Sequence, residues 1–259
     1  MLPKIFKPYK SIKKNLIRVG PNIDGGYVLD KRVINKIETI ITCGLNDDWE
    51  FEKDFLKINP YCQILAYDHT VNKNFWKDRF KNDLISFFLL QKLSVKKILD
   101  IFKYIDYINF FKNKNKHYIK KVVLNKSNKK QISIKKILHN KKNILLKIDI
   151  EGDEYKILEH INKKFIKINL LIIEFHNIHK NLNKLKNFVK KTKFKIIHIH
   201  GNNYAGTNKN NDPKVVEMTF INPKKFKTSK NKSNFKYPII GLDYKNLKRR
   251  PDIKLKFHE

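Results

Sequence analysis

The stretch NILLKIDIEGDEYKILEHI, residues 143–161, runs an apolar segment into Asp149, Glu151, Asp153 and Glu154. Four acids thus fall within six positions of a chain whose formal net charge is +33. A short apolar run followed by helically spaced Ile157, Leu158 and Ile161 reads as a buried strand feeding a helix from about Asp153. The same alternation recurs along the chain. ETIITCG (38–44) precedes the helical pattern DDWEFEKDFLKI, CQILAYD (62–68) ends in an acid, YIKKVVLN (118–125) is a third candidate strand, and INLLIIEFH (168–176) follows the helix. Strands alternating with helices predict right-handed crossovers, a mostly parallel sheet and an α/β fold with helices on both faces. FKIIHIHG (194–201) and KVVEMTFIN (214–222) are joined by a polar loop without helical spacing, which predicts an antiparallel hairpin at the end of the sheet.

At 259 residues, 41% of them hydrophobic, the chain can bury a sizeable core and is expected to be globular. The 57 Lys and Arg against 24 Asp and Glu point towards anionic partners. That signal is diluted because lysine is spread over the whole length in company with Asn and Ile, as biased codon usage would produce. No Gly/Ser linker divides the chain. The expected organisation is an N-terminal segment 1–36, a principal domain 37–223 with an apolar helical insertion at about 83–116, and a basic tail 224–259 packed on the same domain. The insertion reads as packed helices, a lid, or a foot on a membrane surface. Cys43 and Cys62 lie in apolar runs without metal-like spacing and are expected to be buried thiols. No run of about 18 apolar residues and no signal-like segment is visible, so the expectation is a cytoplasmic protein without a transmembrane segment, with peripheral contact at the inner membrane face as its membrane option.

In an open parallel sheet, ligands bind outside the carboxyl ends of the strands. Those ends carry Gly44, Asp68, Asp149 with Glu151, and Glu174 with His176. Gly44 lets backbone approach a ligand, and a carboxylate at the end of the second strand suits a ribose diol. Strand neighbours lie about 4.8 Å apart, so Asp149 and Glu151 can converge with Glu174 and His176. Asp153 and Glu154 are read as stabilising the start of a helix. His198 is read as a half-buried histidine, and His200 as a group near the acceptor.

Taken in order, IRVGPNIDGGYVLD, ITCGLNDDWEFEKDF, ILAYDHT, LLKIDIEGDEYKIL, LIIEFH, HIHGNNY and VVEMTFI resemble the FkbM-type S-adenosylmethionine-dependent methyltransferase family over residues 16–223. The resemblance implies a class I methyltransferase fold with seven strands and a terminal antiparallel hairpin, S-adenosylmethionine as cofactor, and O-methylation of sugar hydroxyls in surface-glycan or capsular polysaccharide synthesis. It also implies that Gly44, Leu45 and Asn46 lie under the cofactor, that Asp68 holds its ribose, and that Asp24, Gly25, Gly26 and Tyr27 border the pocket. Asp149 and Glu151 join that cofactor-binding set.

Methyl transfer to a hydroxyl needs a proton acceptor. His176 is the first choice because its unperturbed pKa lies near neutrality, with Asp149 and His200 as rivals. A divalent metal is not expected; if one binds, its ligands are Asp149, His176 and His200. The resemblance implies a sugar or nucleotide-activated sugar as acceptor, and no specific nucleic-acid partner is expected. Two competing classes are a nucleic-acid methyltransferase, suggested by the charge, and a non-catalytic basic module binding membranes or polyanions. The first lacks an Asp/Asn-Pro-Pro-Tyr loop, since IDIEGDEY stands there, and the second leaves the strand-end residues unexplained. Nothing in the sequence sets the oligomeric state.

Overall fold

The computed structural model describes residues 1–88 and 102–258. Its main sheet comprises β1 (Thr39–Cys43), β2 (Gln63–Tyr67), β3 (Lys116–Tyr118), β4 (Ile144–Ile148), β5 (Ile168–Phe175), β6 (Lys195–Gly201) and β7 (Val216–Ile221). The spatial order is β6-β7-β5-β4-β1-β2-β3. β1 to β5 pair in parallel, whereas β7 runs antiparallel to both β5 and β6. This is the class I methyltransferase sheet, and inserting β7 between β5 and β6 brings its amino end to the edge where the parallel strands finish.

Every residue of β1, β4 and β5 is buried, as continuous Ile- and Leu-rich runs require when helices cover both faces. Successive side chains go to opposite faces. Ile41, Leu65, Leu146 and Ile173 join one core with Ile157 and Leu158 of helix α4 (Glu154–Lys163) and Leu185 and Phe188 of α5 (Ile178–Lys191). Ile40, Ile64, Leu145 and Ile172 join the other, with Phe51 and Phe55 of α1 (Glu50–Ile58). Tyr27 and Leu29 of a hairpin formed by Leu16–Val19 and Tyr27–Asp30 complete that second layer. Cys43 and Cys62 are buried and free, and burial pushes both thiols up to about 12.

YIKKVVLN is not one strand. Only Lys116–Tyr118 joins the main sheet, while Lys121–Val123 pairs in parallel with Gln131–Ser133 in a separate ribbon. Val122 enters the core and Lys120 bonds the Asn128 carbonyl, so the chain turns off the sheet at Ile119 and Lys120. The insertion expected at 83–116 lies partly outside the described residues. Within them, α2 (Lys73–Phe88) runs into it and α3 (Lys103–Phe110) lies inside it. Among the described residues no helix is long and apolar enough to cross a membrane.

Candidate active site

Three backbone turns in left-handed conformation ring the carboxyl edge of the sheet, at Asn46 after β1, Glu151 after β4 and Asn177 after β5. Such residues persist only where surrounding structure over-determines them, and they concentrate at functional sites. The turn after β1 is fixed by Asp68. Its Oδ2 accepts from the backbone N–H groups of Leu45 and Asn46, both at 2.9 Å, and its Oδ1 accepts from the Thr70 N–H at 2.7 Å and hydroxyl at 2.6 Å. Burial would raise this carboxyl, but the Thr70 and loop hydrogen bonds outweigh it and hold the group below its ordinary range. Four bonds fill the acceptor sites of a carboxylate. Ribose binding by Asp68 therefore requires at least one of them to be exchanged. Gly44, Asn46, Asp68, Asp149, Ile150 and Glu151 line a cleft of about 660 Å³ at this edge.

β4 and β5 deliver the second half. His176 Nε2 lies 3.8 Å from Asp149 Oδ1, 3.5 Å from Glu151 Oε2 and 3.9 Å from Glu174 Oε1. The structure thus brings these four sequence-selected residues together. Asp149 Oδ1 is buried without a hydrogen-bond partner. Burial raises the Asp149 carboxyl to about 6, against the opposing pull of His176 and Lys147. Burial alone would depress His176, yet the carboxylates of Glu154, Asp149 and Glu151 raise it above its ordinary value. The imidazole is consequently a weaker candidate base than its unperturbed pKa suggests, because it is held towards imidazolium.

Glu154 does more than favour a helix start. It is fully buried, its Oε1 accepts the His176 N–H at 2.7 Å, and its Oε2 accepts the Gly152 N–H at 2.8 Å. Tyr155 donates its hydroxyl to the His176 carbonyl at 2.8 Å. The first turn of α4 therefore grips both backbone groups of His176. Asp153 instead pairs with Lys121 at 2.9 Å and Lys156 at 2.5 Å on the surface.

Glu174 and Glu217 stand directly opposite each other in the β5–β7 ladder, both buried. Like charges at such a position repel. Burial, followed by the charges of Asp149, Glu217 and Asp24, pushes the Glu174 carboxyl well above its usual range. Amides complete the cluster. Asn202 donates to Glu174 at 2.8 Å, and Asn246, from the tail, donates to Glu217 at 2.6 Å and to Asp24 at 2.7 Å. Asp24 is itself raised by burial. Sequence reasoning missed Asn202, Glu217 and Asn246, and only the polar HGNN run offered a signal for the first.

The Asp24–Tyr27 turn closes this edge. Gly26 packs where a Cβ would meet the Pro21 carbonyl at 2.2 Å, and Arg18 braces the turn by donating to the carbonyls of Pro21 and Ile23 at 2.9 and 2.7 Å. Gly25 has φ +83 and lies beside Asp48. Tyr27 is buried edge-on to Phe51, with the Lys147 ammonium 5.5 Å from its ring.

His200 does not join Asp149 and His176. Its Nδ1 lies 3.3 Å from Glu217 and its Nε2 3.1 Å from Asp252, so both ring nitrogens are taken and the structure does not bring His200 to the Asp149 and His176 named with it in case a metal binds. Among the described residues, the group that can hold a cation is Asp149, Glu151 and His176, with ligand atoms within 4.8 Å of one another. Its mixed oxygen and nitrogen donors, including the unpartnered Asp149 Oδ1, fit a divalent metal. His198 is likewise buried, 3.1 Å from Asp243.

Burial opposes protonation of His200, but hydrogen bonds to Asp252 and Glu217 push its pKa up to about 10, from 6.5. A raised histidine stabilises the fold fully below the unfolded value, and the contribution is lost as pH rises through the folded value. Stability in urea is therefore expected to fall between pH 6.5 and about 10, and to fall less steeply in His200→Gln. Equal slopes in the two proteins would remove the paired imidazolium.

The family model of the methyltransferase FkbM domain matches residues 13–222. No curated protein matches the chain. Solved structures to which the chain is similar include the Methanococcus jannaschii fibrillarin pre-rRNA processing protein, at 9% identity and TM-score 0.37 over 73% of this chain and 67% of that one. The Geobacter metallireducens precorrin-6y C5,15-methyltransferase has 7% identity and TM-score 0.35 over 73% and 85% of the two chains. M. jannaschii TYW2 in complex with AdoMet has 12% identity and TM-score 0.34 over 74% of each. The matched span begins before the Arg18-braced hairpin and ends just after β7, taking in every strand of the main sheet and the whole acidic edge except Asn246 and Asp252: the chain belongs to the FkbM family of S-adenosylmethionine-dependent methyltransferases.

Proposed function

We propose that the protein transfers the methyl group of S-adenosylmethionine to a hydroxyl oxygen of a sugar, with Asp149 as proton acceptor. The observation that carries this reading is the unpartnered, buried Asp149 Oδ1 beside His176, in a carboxylate whose pKa of about 6 suits a base at neutral pH. The cofactor lies in the cleft over Gly44, Leu45 and Asn46, bordered by Asp68, Glu151 and the Asp24–Tyr27 turn. Its sulfonium cation is favoured by the negative edge. When bound, S-adenosylmethionine would supply the methyl carbon and its sulfur would keep the electrons of the broken C–S bond, while Asp149 takes the proton of the attacking hydroxyl. His176 keeps Asp149 ionised. If a divalent metal binds, Asp149, Glu151 and His176 hold it, and it would supply Lewis-acid activation of the hydroxyl; turnover is nonetheless expected to survive a chelator.

RNA methylation is the competing reading, favoured by the net charge of +33. It is opposed by Asp68, Asp149, Glu151 and Asp153 in the cleft lining, which outnumber Lys120 and Lys121 there and repel phosphates. Labelled methyl transfer to a panel of nucleotide sugars and glycans, run beside RNA at physiological salt, tests the choice. Incorporation confined to RNA would overturn the sugar reading. Cofactor binding is tested separately. Asp68→Ala frees the Leu45 and Asn46 amides and is expected to weaken S-adenosylmethionine binding by about 1–3 kcal/mol in a calorimetric titration. An unchanged affinity in a folded variant would remove Asp68 from the cofactor site.

A further inference from the structure

The opposite edge of the sheet carries a second polar hollow, of about 550 Å³, that methyl transfer does not use. It lies where β6 begins. The Lys195 and Lys232 ammonium groups are each 3.9 Å from the centre of the Tyr9 ring, and Lys190, Lys193 and Lys224 stand exposed at the rim. No acid lines it. Lysine is almost never fully buried without a partner, and both of these side chains are half-buried. The Tyr9 ring attracts each ammonium group, and the carbonyls of Lys7 and Ile5 accept from Lys232 at 2.7 and 3.4 Å. These neutral partners do not cancel the charge. Burial, followed by the charges of Lys195 and Lys7, lowers the Lys232 ammonium to about 8. The cluster is a preorganised cation pair short of an anion. Its position is remote from the catalytic edge, because β6 runs from Lys195 to His200, a span of roughly 16–20 Å.

We propose that this hollow is a binding site for a phosphate or pyrophosphate group, held between Lys195 and Lys232 over Tyr9 and distinct from the methyl-transfer site. Its apolar wall, which includes Phe165, Phe194 and Ile196, accommodates the carbon skeleton that bears the phosphate. That chemistry belongs equally to a soluble phosphorylated metabolite and to a phospholipid headgroup.

The test titrates inorganic pyrophosphate into the full-length protein by calorimetry, and separately floats the protein with vesicles of phosphatidylglycerol and phosphatidylcholine. Saturable pyrophosphate binding is expected, weakened by about tenfold in Lys195→Met and in Lys232→Met, the scale of one lost charge-assisted contact. Lys135→Met and Lys136→Met, in another lysine-lined hollow, serve as charge-matched controls and are expected to leave affinity unchanged. Vesicle flotation lost in the same two variants identifies a headgroup, and pyrophosphate binding without flotation identifies a soluble ligand; either supports the site. Lack of saturable binding by both probes, or equal weakening in the controls, overturns it. Should Lys232→Met fail to fold, Lys195→Gln decides by the same criteria. S-adenosylmethionine affinity is measured in every variant and is expected to stay constant, so failure here is distinguishable from failure of the methyltransferase reading.

Discussion

Asp149→Asn is expected to lower kcat by about 10²-fold to 10⁴-fold, the usual scale for losing a general base, with a smaller effect on cofactor affinity. The amide is nearly isosteric but cannot take the hydroxyl proton. In the wild type, kcat should fall as pH drops through about 6, because protonation of Asp149 removes the acceptor. His176 sharpens the test. Its charge opposes the burial that raises Asp149, so His176→Asn should move the acid limb to higher pH as well as reduce turnover. A histidine acting as the base itself would give a different result, since its removal would abolish the histidine-dependent limb and leave the Asp149→Asn enzyme comparatively active. If Asp149→Asn keeps near-normal turnover against the authentic acceptor, the proton acceptor is misassigned.

The strands β1, β2, β4 and β5 were legible because each is a continuous apolar run ended by a Gly or an acid, and parallel packing places all of those ends on one edge. That logic also located Asp149, Glu151, Glu174 and His176. It could not locate the departure at Ile119 and Lys120, because YIKKVVLN has the same pattern whether it pairs throughout or leaves the sheet after Tyr118. Glu154 was visible but misread: an acid at a helix start looks alike whether it serves the helix dipole or accepts an N–H from His176, a residue 22 positions away. His200 depended on Asp252, 52 residues later in a tail without periodicity, and Asn246 enters the site from the same tail. The carboxylates gathered around His176 were also out of reach, because Glu154, Asp149 and Glu151 meet the imidazole only through tertiary structure.

Gly44→Ala is expected to cost the most stability of any change at the cofactor cleft. Gly44 has φ +82, a conformation that costs an L-residue about 1–2 kcal/mol. An added Cβ would also lie 1.6 Å from the Asp149 carbonyl oxygen and 2.7 Å from its carbon. Both are backbone atoms, so no rotamer change relieves the clash. The strands are tied there by Asp149 N–H to the Cys43 carbonyl at 2.8 Å and Gly44 N–H to the Tyr67 carbonyl at 2.9 Å, which means that β4 cannot shift without breaking the ladder. This gives Gly44 a role that sequence reasoning assigned to ligand approach: it allows β1 and β4 to finish against each other. Overpacking of this kind adds about 1–3 kcal/mol, for a total of about 2–5 kcal/mol and a melting temperature lower by on the order of 10 °C. Gly152→Ala is the control. Its φ is +102, but nothing lies within 4 Å of the added carbon, so it carries backbone strain without the clash. The difference between the two melts isolates the close approach. S-adenosylmethionine binding should fail in Gly44→Ala under conditions where the variant is still folded, because the displaced Asp149 is part of the cleft. Equal melting temperatures for the two variants, with cofactor binding intact in both, would show that the end of β1 relaxes freely and does not set the geometry of the site.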